Sequence, residues 1–255
     1  MAEFLHVEQS EHIATVTLDR APVNALNRQL LAEISETFGS VASDWDVRAV
    51  VFASGQEHVF CGGADLKGMG PEPAPPPTDP QRHARDAMWA ILDCPVPVIA
   101  AVNGPALGGG LAIAACCDVI VASERAEFGC PEISVGLLGA GSHLQRMVGP
   151  YRMRELYFTA RRVAAREMLE MGGLSRVVGH DALAGAARQI AADIAVKSPA
   201  AIRLAKEALN RVESMPLKEA YRTEQDYTAR LGRYQDSKEA RAAFLEKRAP
   251  RFVGR

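Results

Sequence analysis

The sequence predicts a layered α/β fold, and two patterns support this. In the first two thirds of the chain, a short apolar run is three times followed by a turn of small residues and then a helical pattern; the runs span 46–53, 97–102 and 119–123. Strands that alternate with helices are typical of α/β layers. Beyond about residue 180 only helical patterns remain, which predicts a separate helical region.

The N-terminal elements follow from alternation and capping. Residues 4–9 and 13–18 alternate between apolar and polar side chains, which predicts two strands of a hairpin. Asn27 is placed to cap a helix that carries Leu30, Ile34 and Phe38 at helical spacing. The apolar run 46–53 predicts a buried strand. A glycine pair, Gly62–Gly63, then stands where we expect a turn that leads into a helix.

The segment 70–80 interrupts this pattern, because six of its eleven residues are proline. We expect a mobile loop or lid within the domain, since the strand and helix pattern resumes after it. Further helices are predicted over 83–92 and from about residue 143, with Ser142 as a cap for the second of these.

Four helices are predicted in the tail. They span 183–196, 199–212 behind the cap Ser198, 217–231, and 238–247 behind the cap Ser237. Their apolar stripes need a partner surface. We therefore expect a core over 1–180 and a helical region over 181–255 that serves packing or oligomerisation.

Composition excludes several classes of protein. The net charge is −2, so the chain has no general attraction for nucleic acid. No secretion signal and no apolar run of membrane-spanning length are recognised, and the five cysteines form no CxxC pair. Reduced thiols in a cytoplasmic protein are expected. No cluster has the spacing of metal ligands, so no metal site is predicted.

The stretch Asn103–Asp118, NGPALGGGLAIAACCD, is the strongest candidate for chemistry. Three glycines inside a helix would each cost about 1 kcal/mol relative to alanine, so Gly108–Gly110 are predicted at the start of a helix. Free backbone N–H groups there could hold an anion or a developing oxyanion. Tight packing of the helix is an equal alternative. A phosphate loop is excluded, because no Lys-Ser or Lys-Thr follows the glycines.

Four motifs in register resemble the enoyl-CoA hydratase/isomerase (crotonase) family: FCGGADLKGM, PVIAAVNGPALGGG, FGCPEISVGLLGAG and FLEKRAPRF. The resemblance covers nearly the whole chain. It implies a spiral of ββα units with a C-terminal helical region that assembles into trimers or dimers of trimers. It also implies a coenzyme A thioester as substrate, with no separate cofactor.

The resemblance also implies roles for individual residues. The backbone N–H groups of Ala64 and Gly109 would hold the thioester oxygen while an enolate forms. Glu132, among apolar neighbours at a predicted strand-to-helix turn, would be the general base, although on the residues alone it reads as a first-turn acid that favours the helix dipole. Substrate contacts are implied for further residues of the same motifs: Asp65, Lys67, Gly108, Pro131, Gly139 and Lys247.

One departure from the family pattern bears on the reaction. Hydratases that resemble this chain carry a second glutamate where Ala112 stands. Isomerases of the family keep only the acid at the Glu132 position. Ala112 therefore favours isomerisation of an unsaturated acyl-CoA, with hydration or dehydration as the alternative. A non-catalytic acyl-CoA-binding protein is the third hypothesis.

Three other groups are given structural interpretations. Ser142 and His143 are adjacent and cannot easily form a nucleophile and its base, so we expect no Ser-His chemistry. Cys130 is close to Glu132 in sequence, and we expect an unreactive thiol that lines the pocket. Trp45 and Trp89 are expected to be packing residues.

Overall fold

The chain begins with a tight hairpin. A computed structural model describes residues 2–68, 79 and 81–254. Strand β1 (Leu5–Ser10) pairs antiparallel with β2 (Ile13–Leu18), as predicted. Glu11 and His12 both adopt positive φ, at 53° and 65°, which matches the right-handed twist of the strands they join.

A six-stranded sheet forms the centre of the fold. Its further strands are β3 (Ala49–Ser54), β4 (Val98–Val102), β6 (Val119–Ser123) and β9 (Arg176–Val178), in the order β1-β2-β3-β4-β6-β9. All pairs after the first are parallel. The three predicted apolar runs are therefore confirmed as neighbouring central strands, and parallel pairing explains why they read as nearly continuous apolar segments.

Helices cover one face of this sheet. Helix α1 (Arg28–Ser43) begins at the predicted cap, where Asn27 Oδ1 accepts a hydrogen bond of 2.8 Å from the Leu30 amide. It packs beside α2 (Arg82–Leu92), and α3 (Gly109–Cys116) follows the glycine turn. Side chains from α1 and from alternate strand positions, such as Val50 and Phe52, join in one large core.

A second, three-stranded sheet lies next to the glycine turn. It contains β5 (Ala106–Leu107), β7 (Glu127–Gly129) and β8 (Val163–Ala164), in the order β5-β7-β8. Helices α4 (Gly141–Val148) and α5 (Pro150–Thr159) lie between β7 and β8 in the chain, and α6 (Ala165–Glu170) follows β8. The glycine turn thus follows the carboxyl end of β4, the edge where ligands bind in open α/β sheets.

The tail is helical, as predicted. Helix α7 (Leu183–Ala195) covers the other face of the large sheet, against Ala49 and Val51. Its apolar stripe therefore serves the chain's own core. Helices α8 (Pro199–Val212), α9 (Leu217–Leu231) and α10 (Gln235–Leu245) continue the chain. The boundary at residue 180 stays a prediction.

Of the three predicted serine caps, one is confirmed and two are wrong. Ser198 Oγ accepts a hydrogen bond of 3.2 Å from the Ala201 amide at the start of α8. Ser237 lies inside α10, which begins two residues earlier, at Gln235. Ser142 lies inside α4, whose cap position is Ala140 in the left-handed conformation. Both errors arise because a serine near a helix start was read without the backbone that fixes the start.

Two other expectations concern the segment after Gly63. The helix expected directly after Gly63 is not formed over 64–68; a turn occupies this segment, and the Gly68 amide donates to the Asp65 carbonyl at 3.1 Å. The expected lid over 70–80 lies outside the described residues, apart from Asp79, and stays a prediction.

A partly buried ion pair joins the tail to the sheet. Lys206 on α8 is 4% exposed, and its Nζ lies 2.7 Å from Asp118 Oδ2 and 3.1 Å from the Val96 carbonyl. Asp118 Oδ2 also accepts a hydrogen bond of 2.7 Å from the Val98 amide. Asp118 follows the C-terminus of α3, where a negative charge is unfavourable unless it is paired, and Lys206 is its partner across 88 residues of sequence.

Removal of this lysine should destabilise the fold strongly. Lys206→Ala removes the counter-charge of the partly buried Asp118 carboxylate and leaves the Val96 carbonyl without its donor, so we expect the free energy of unfolding to fall by about 2 kcal/mol. The exposed pair Arg222–Asp226 on α9 provides a matched control, and Arg222→Ala should cost at most about 0.5 kcal/mol. Urea unfolding measures both changes. Equal losses in the two variants would contradict the structural role of Lys206.

Candidate active site

The glycine turn brings three chain segments into contact. Gly108 has φ +52°, and α3 begins directly after it. A Cβ built on Gly108 would overlap the Glu132 carboxylate, with 2.8 Å to Cδ, and one built on Gly110 would lie 2.8 Å from Cys61 Cβ. Only glycine fits at these two positions. Tight packing, one of the two alternatives, therefore explains Gly108 and Gly110.

Gly109 has a different environment. It is the first residue of α3, so its amide has no intrahelical acceptor. Within the described part of the chain, its N–H donates to no other group. The anion-site alternative therefore fits Gly109, while packing fits its two neighbours.

The Ala64 amide is left free by the pairing of its segment. Residue Leu26 forms an isolated parallel bridge with Ala64, in which the Leu26 amide donates to the Gly63 carbonyl at 2.8 Å and the Asp65 amide donates to the Leu26 carbonyl at 3.1 Å. In an extended segment successive amides point to opposite sides. The Ala64 N–H therefore points away from Leu26, and it has no acceptor among the described residues.

The two free amides are close together. A Cβ built on Gly109 would lie 3.9 Å from Ala64 N, and one built on Gly63 would lie 3.4 Å from Gly109 N. Both Ala64 and Gly109 line one cavity of about 540 Å³. Two backbone donors that face one cavity can share one ligand oxygen, which is the arrangement of an oxyanion hole.

Glu132 projects into the same cavity. It lies on a short 3₁₀ helix (Pro131–Val135) directly after β7, and its carboxylate approaches Gly108. Its Oε2 atom is fully buried and has no hydrogen-bond partner within the described residues. Burial raises the pKa of Glu132 above its ordinary value. A carboxylate of this kind can accept a proton near neutral pH.

Asp65 is the other carboxylate that lines the cavity, and it is already engaged. Its Oδ2 accepts a hydrogen bond of 2.8 Å from Arg20 Nη2, and its Oδ1 accepts one of 3.2 Å from the Gly68 amide. The Arg20 guanidinium beside it lowers the pKa of Asp65. Asp65 therefore stabilises the turn that presents Ala64 and is a poor proton acceptor.

Of the other residues predicted to contact the substrate, only some line the cavity. Gly139 lines the cavity, and its amide donates to the Tyr157 hydroxyl at 3.0 Å. Gly108 and Pro131 contribute no lining surface and instead position Gly109 and Glu132. Lys67 is exposed beyond the Ala64 turn, and Lys247 follows α10; neither lines the cavity.

Sequence reasoning missed several lining residues. Trp89, 53% exposed on α2, was interpreted as packing but lines the cavity. His143 on α4 also lines it, as do Arg28, His83 and Arg85 from α1 and α2. Helical spacing could have placed His143 on the same face as Ala140, but no local pattern shows that α2 faces α4.

The expectation for Cys130 is confirmed in one part and wrong in the other. Cys130 is buried near Glu132 and is not among the residues that line the cavity, and burial raises the pKa of its thiol to about 12. Cys116, at the end of α3, and Cys117, directly after it, are buried in the core. Burial raises the pKa of Cys116 to about 12 as well. These thiols stay protonated and are poor nucleophiles at neutral pH.

Comparison with known proteins decides the family. A family model for enoyl-CoA hydratase/isomerase matches residues 8–255. The chain belongs to the enoyl-CoA hydratase/isomerase family. The predicted membership and crotonase fold are thus confirmed, and a crystal structure of an enoyl-CoA hydratase from Bacillus anthracis superposes with a TM-score of 0.91 at 32% identity, covering 99% of this chain and 100% of that one.

Relatives in this family carry different activities. A (7aS)-7a-methyl-1,5-dioxo-2,3,5,6,7,7a-hexahydro-1H-indene-carboxyl-CoA hydrolase of Rhodococcus jostii is 39% identical over 240 residues, which cover 94% of this chain and 93% of the relative. A carnitinyl-CoA dehydratase of Salmonella typhi is 34% identical over the full length of both chains. Family membership shows an enzyme that acts on acyl-CoA. The isomerase expectation stays a prediction.

Substitution of Glu132 tests its place in the reaction. Glu132→Gln should leave acyl-CoA binding nearly intact, because the amide has the same shape and the predicted oxygen-binding donors are main-chain groups. Turnover should fall by about 100-fold or more. Glu124→Gln, which changes an exposed carboxyl group, serves as the control.

The pH profile of the wild-type enzyme gives a second readout of the same residue. Only the ionised carboxylate accepts a proton, so activity should be lost as pH falls through the pKa of Glu132. Because burial raises that pKa, the loss should begin at a higher pH than for an ordinary glutamate. A fully active Glu132→Gln variant would remove Glu132 from the reaction.

Proposed function

We propose that this enzyme forms an enolate from an acyl-CoA thioester. The thioester oxygen accepts hydrogen bonds from the Ala64 and Gly109 amides, and Glu132 removes the proton from C2. The free amides, the shared cavity and the raised pKa of Glu132 support these roles. One such donor is worth about 3–4 kcal/mol of transition-state stabilisation.

Isomerisation of a 3-enoyl-CoA is the reaction that we propose first. The observation that carries it is that Glu132 is the one carboxylate in the described cavity lining left available for proton transfer, since Asp65 is held by Arg20 and Ala112 carries no acid. Glu132 takes a proton from C2, the negative charge spreads to the thioester oxygen and C4, and the same proton returns to C4. A single base is therefore enough to form the 2-enoyl product, and no water is needed.

Addition or removal of water is the second candidate. The relative named dehydratase and the structural neighbour named hydratase support it. In this reaction Glu132 would act on a water molecule and on C2 in turn. The two reactions share the enolate and differ in whether a second group is needed to hold water.

The proposed chemistry needs no coenzyme beyond the CoA of the substrate, because the oxidation level does not change. CoA phosphates require cations, and Lys67 and Lys247 stay the proposed contacts from the motif resemblance. Arg28 is a further candidate, since it is exposed at the cavity. No helix among the described residues is long and apolar enough to cross a membrane, and we keep the cytoplasm as the proposed compartment.

We also propose a homotrimer or a dimer of trimers. Large apolar side chains on the tail are exposed in the single chain, among them Leu217 at 83% and Phe244 at 82%. Surfaces of this kind are usually covered by a partner. Light scattering at micromolar concentration should give three or six times the chain mass, and a stable monomer would contradict the assembly.

A panel of thioesters distinguishes the two reactions. With 3-hexenoyl-CoA and 2-hexenoyl-CoA as substrates, we expect conversion of the first to the second to exceed hydration of the second. Ala112→Glu should place a second carboxylate on α3 facing the cavity, and this should raise hydration relative to isomerisation. Chromatographic separation of the products measures the ratio.

The wild-type ratio decides the interpretation. Hydration that exceeds isomerisation in the wild-type enzyme would mean that Ala112 does not limit water chemistry, and the second candidate would replace the first. Absence of turnover on both thioesters, with binding retained, would favour the non-catalytic acyl-CoA-binding alternative.

A further inference from the structure

The segment 136–140 forms one side of the cavity, next to Glu132. It joins the 3₁₀ helix that carries Glu132 to α4 and belongs to no helix or strand. Residues 137–140 all line the cavity. A Cβ built on Gly139 would lie 3.8 Å from Glu132 Oε1, so the segment lies against the carboxylate. The position of this segment therefore determines how closely the carboxylate is covered.

One side-chain hydrogen bond holds the middle of this segment. Its two ends are anchored by backbone hydrogen bonds to the 3₁₀ helix and to α4. Among the amides of residues 138–140, only that of Gly139 has an acceptor within the described part of the chain. That acceptor is the Tyr157 hydroxyl on α5, at 3.0 Å. The middle of the segment thus depends on Tyr157.

Tyr157 is itself held in place by packing. Its partly buried side chain packs against the large core. A Cβ built on Gly141 would lie 3.3 Å from Tyr157 Cε2, so the ring also lies close to the first residue of α4. A side chain whose rotamer is fixed by packing can hold a neighbouring group in a defined position. The hydroxyl of Tyr157 is therefore a fixed attachment point for the Gly139 amide.

The environment of Glu132 is set by burial. Burial raises the pKa of Glu132, and no nearby charge contributes to this shift. Its buried neighbour in sequence is the thiol of Cys130. The titratable and charged side chains that line the same cavity from the surrounding elements are Arg28, Asp65, His83, Arg85 and His143. The proton affinity of the carboxylate therefore depends on how completely the surrounding segments exclude water.

We infer that Tyr157 is a positioning residue, whose hydroxyl holds the segment 136–140 against the Glu132 carboxylate and so keeps water away from the proposed base. The inference rests on the proposed role of Glu132 in proton transfer. Tyr157 is not among the residues that line the cavity, so it acts through the segment and not on the substrate. Without the hydroxyl, the Gly139 amide loses its acceptor, and water that replaces it can reach the carboxylate.

Tyr157→Phe tests this, because it removes the hydroxyl and keeps the packed ring. Water beside Glu132 should lower its pKa, so the loss of kcat/KM at low pH should move to lower pH by about 0.5 unit or more. The carboxylate also becomes a weaker base, so kcat at pH 8 should fall by about twofold or more. Activity is measured on 3-hexenoyl-CoA and 2-hexenoyl-CoA. Hydrogen exchange at the amides of 137–140 should become faster.

Two further variants separate this role from a general loss of stability. Tyr151→Phe makes the same change at a tyrosine of α5 that is 88% exposed, and it should leave the pH profile and the exchange unchanged. Tyr157→Ala removes the ring as well, and it should move the pH profile at least as far as Tyr157→Phe. Thermal unfolding of each variant provides the stability control, because a general loss of stability lowers Tm without a shift of the pH profile.

Several results would overturn the inference. An unchanged pH profile in Tyr157→Phe would do so, even with faster exchange at 137–140, because the hydroxyl would then hold the segment without any effect on Glu132. An equal shift in Tyr151→Phe would do so as well. Failure of the proposed function is seen in other measurements. A fully active Glu132→Gln variant, or a wild-type enzyme without turnover of either thioester, would remove Glu132 as the base and this inference with it.

Discussion

The close approach of the Gly108–Gly110 backbone to its neighbours is the constraint on which the site depends. Side chains at Gly108 and Gly110 would collide with Glu132 and Cys61, so the start of α3 can lie against both segments only with glycine. This contact aligns the free amides of Gly109 and Ala64 on one cavity. It also helps to bury the Glu132 carboxylate, and this burial raises the pKa of Glu132.

The sheet and the tail support this contact from opposite sides. Strand β4, which is paired with β3 and β6, precedes the glycine turn. In the small sheet β5 pairs with β7, and the segment that carries Glu132 follows β7. The Lys206–Asp118 pair joins α8 to the far end of α3. The proposed site and the stability of the tail are therefore linked through α3, whose first residue is proposed to bind the substrate oxygen and whose end is joined to the helical tail.

The sequence predicts much of this because the decisive signals are local. Apolar runs, the Asn27 cap and the glycine triplet each depend on neighbouring residues, and the structure contains them as predicted. Contacts between distant segments have no local signal. Nothing local shows that Lys206 pairs with Asp118, which lies 88 residues away in sequence. Trp89 and His143 line one cavity only through the packing of α2 and α4.

The central claim is that main-chain amides polarise the thioester carbonyl, and the carbonyl stretch of a bound thioester measures this most directly. Difference infrared spectroscopy with hexanoyl-CoA labelled by ¹³C at the thioester carbonyl isolates that band. Two hydrogen bonds from Ala64 and Gly109 should weaken the C=O bond, so the band should move to lower frequency on binding, in the wild-type enzyme and in Glu132→Gln alike. An unshifted band in a saturated complex would contradict the account.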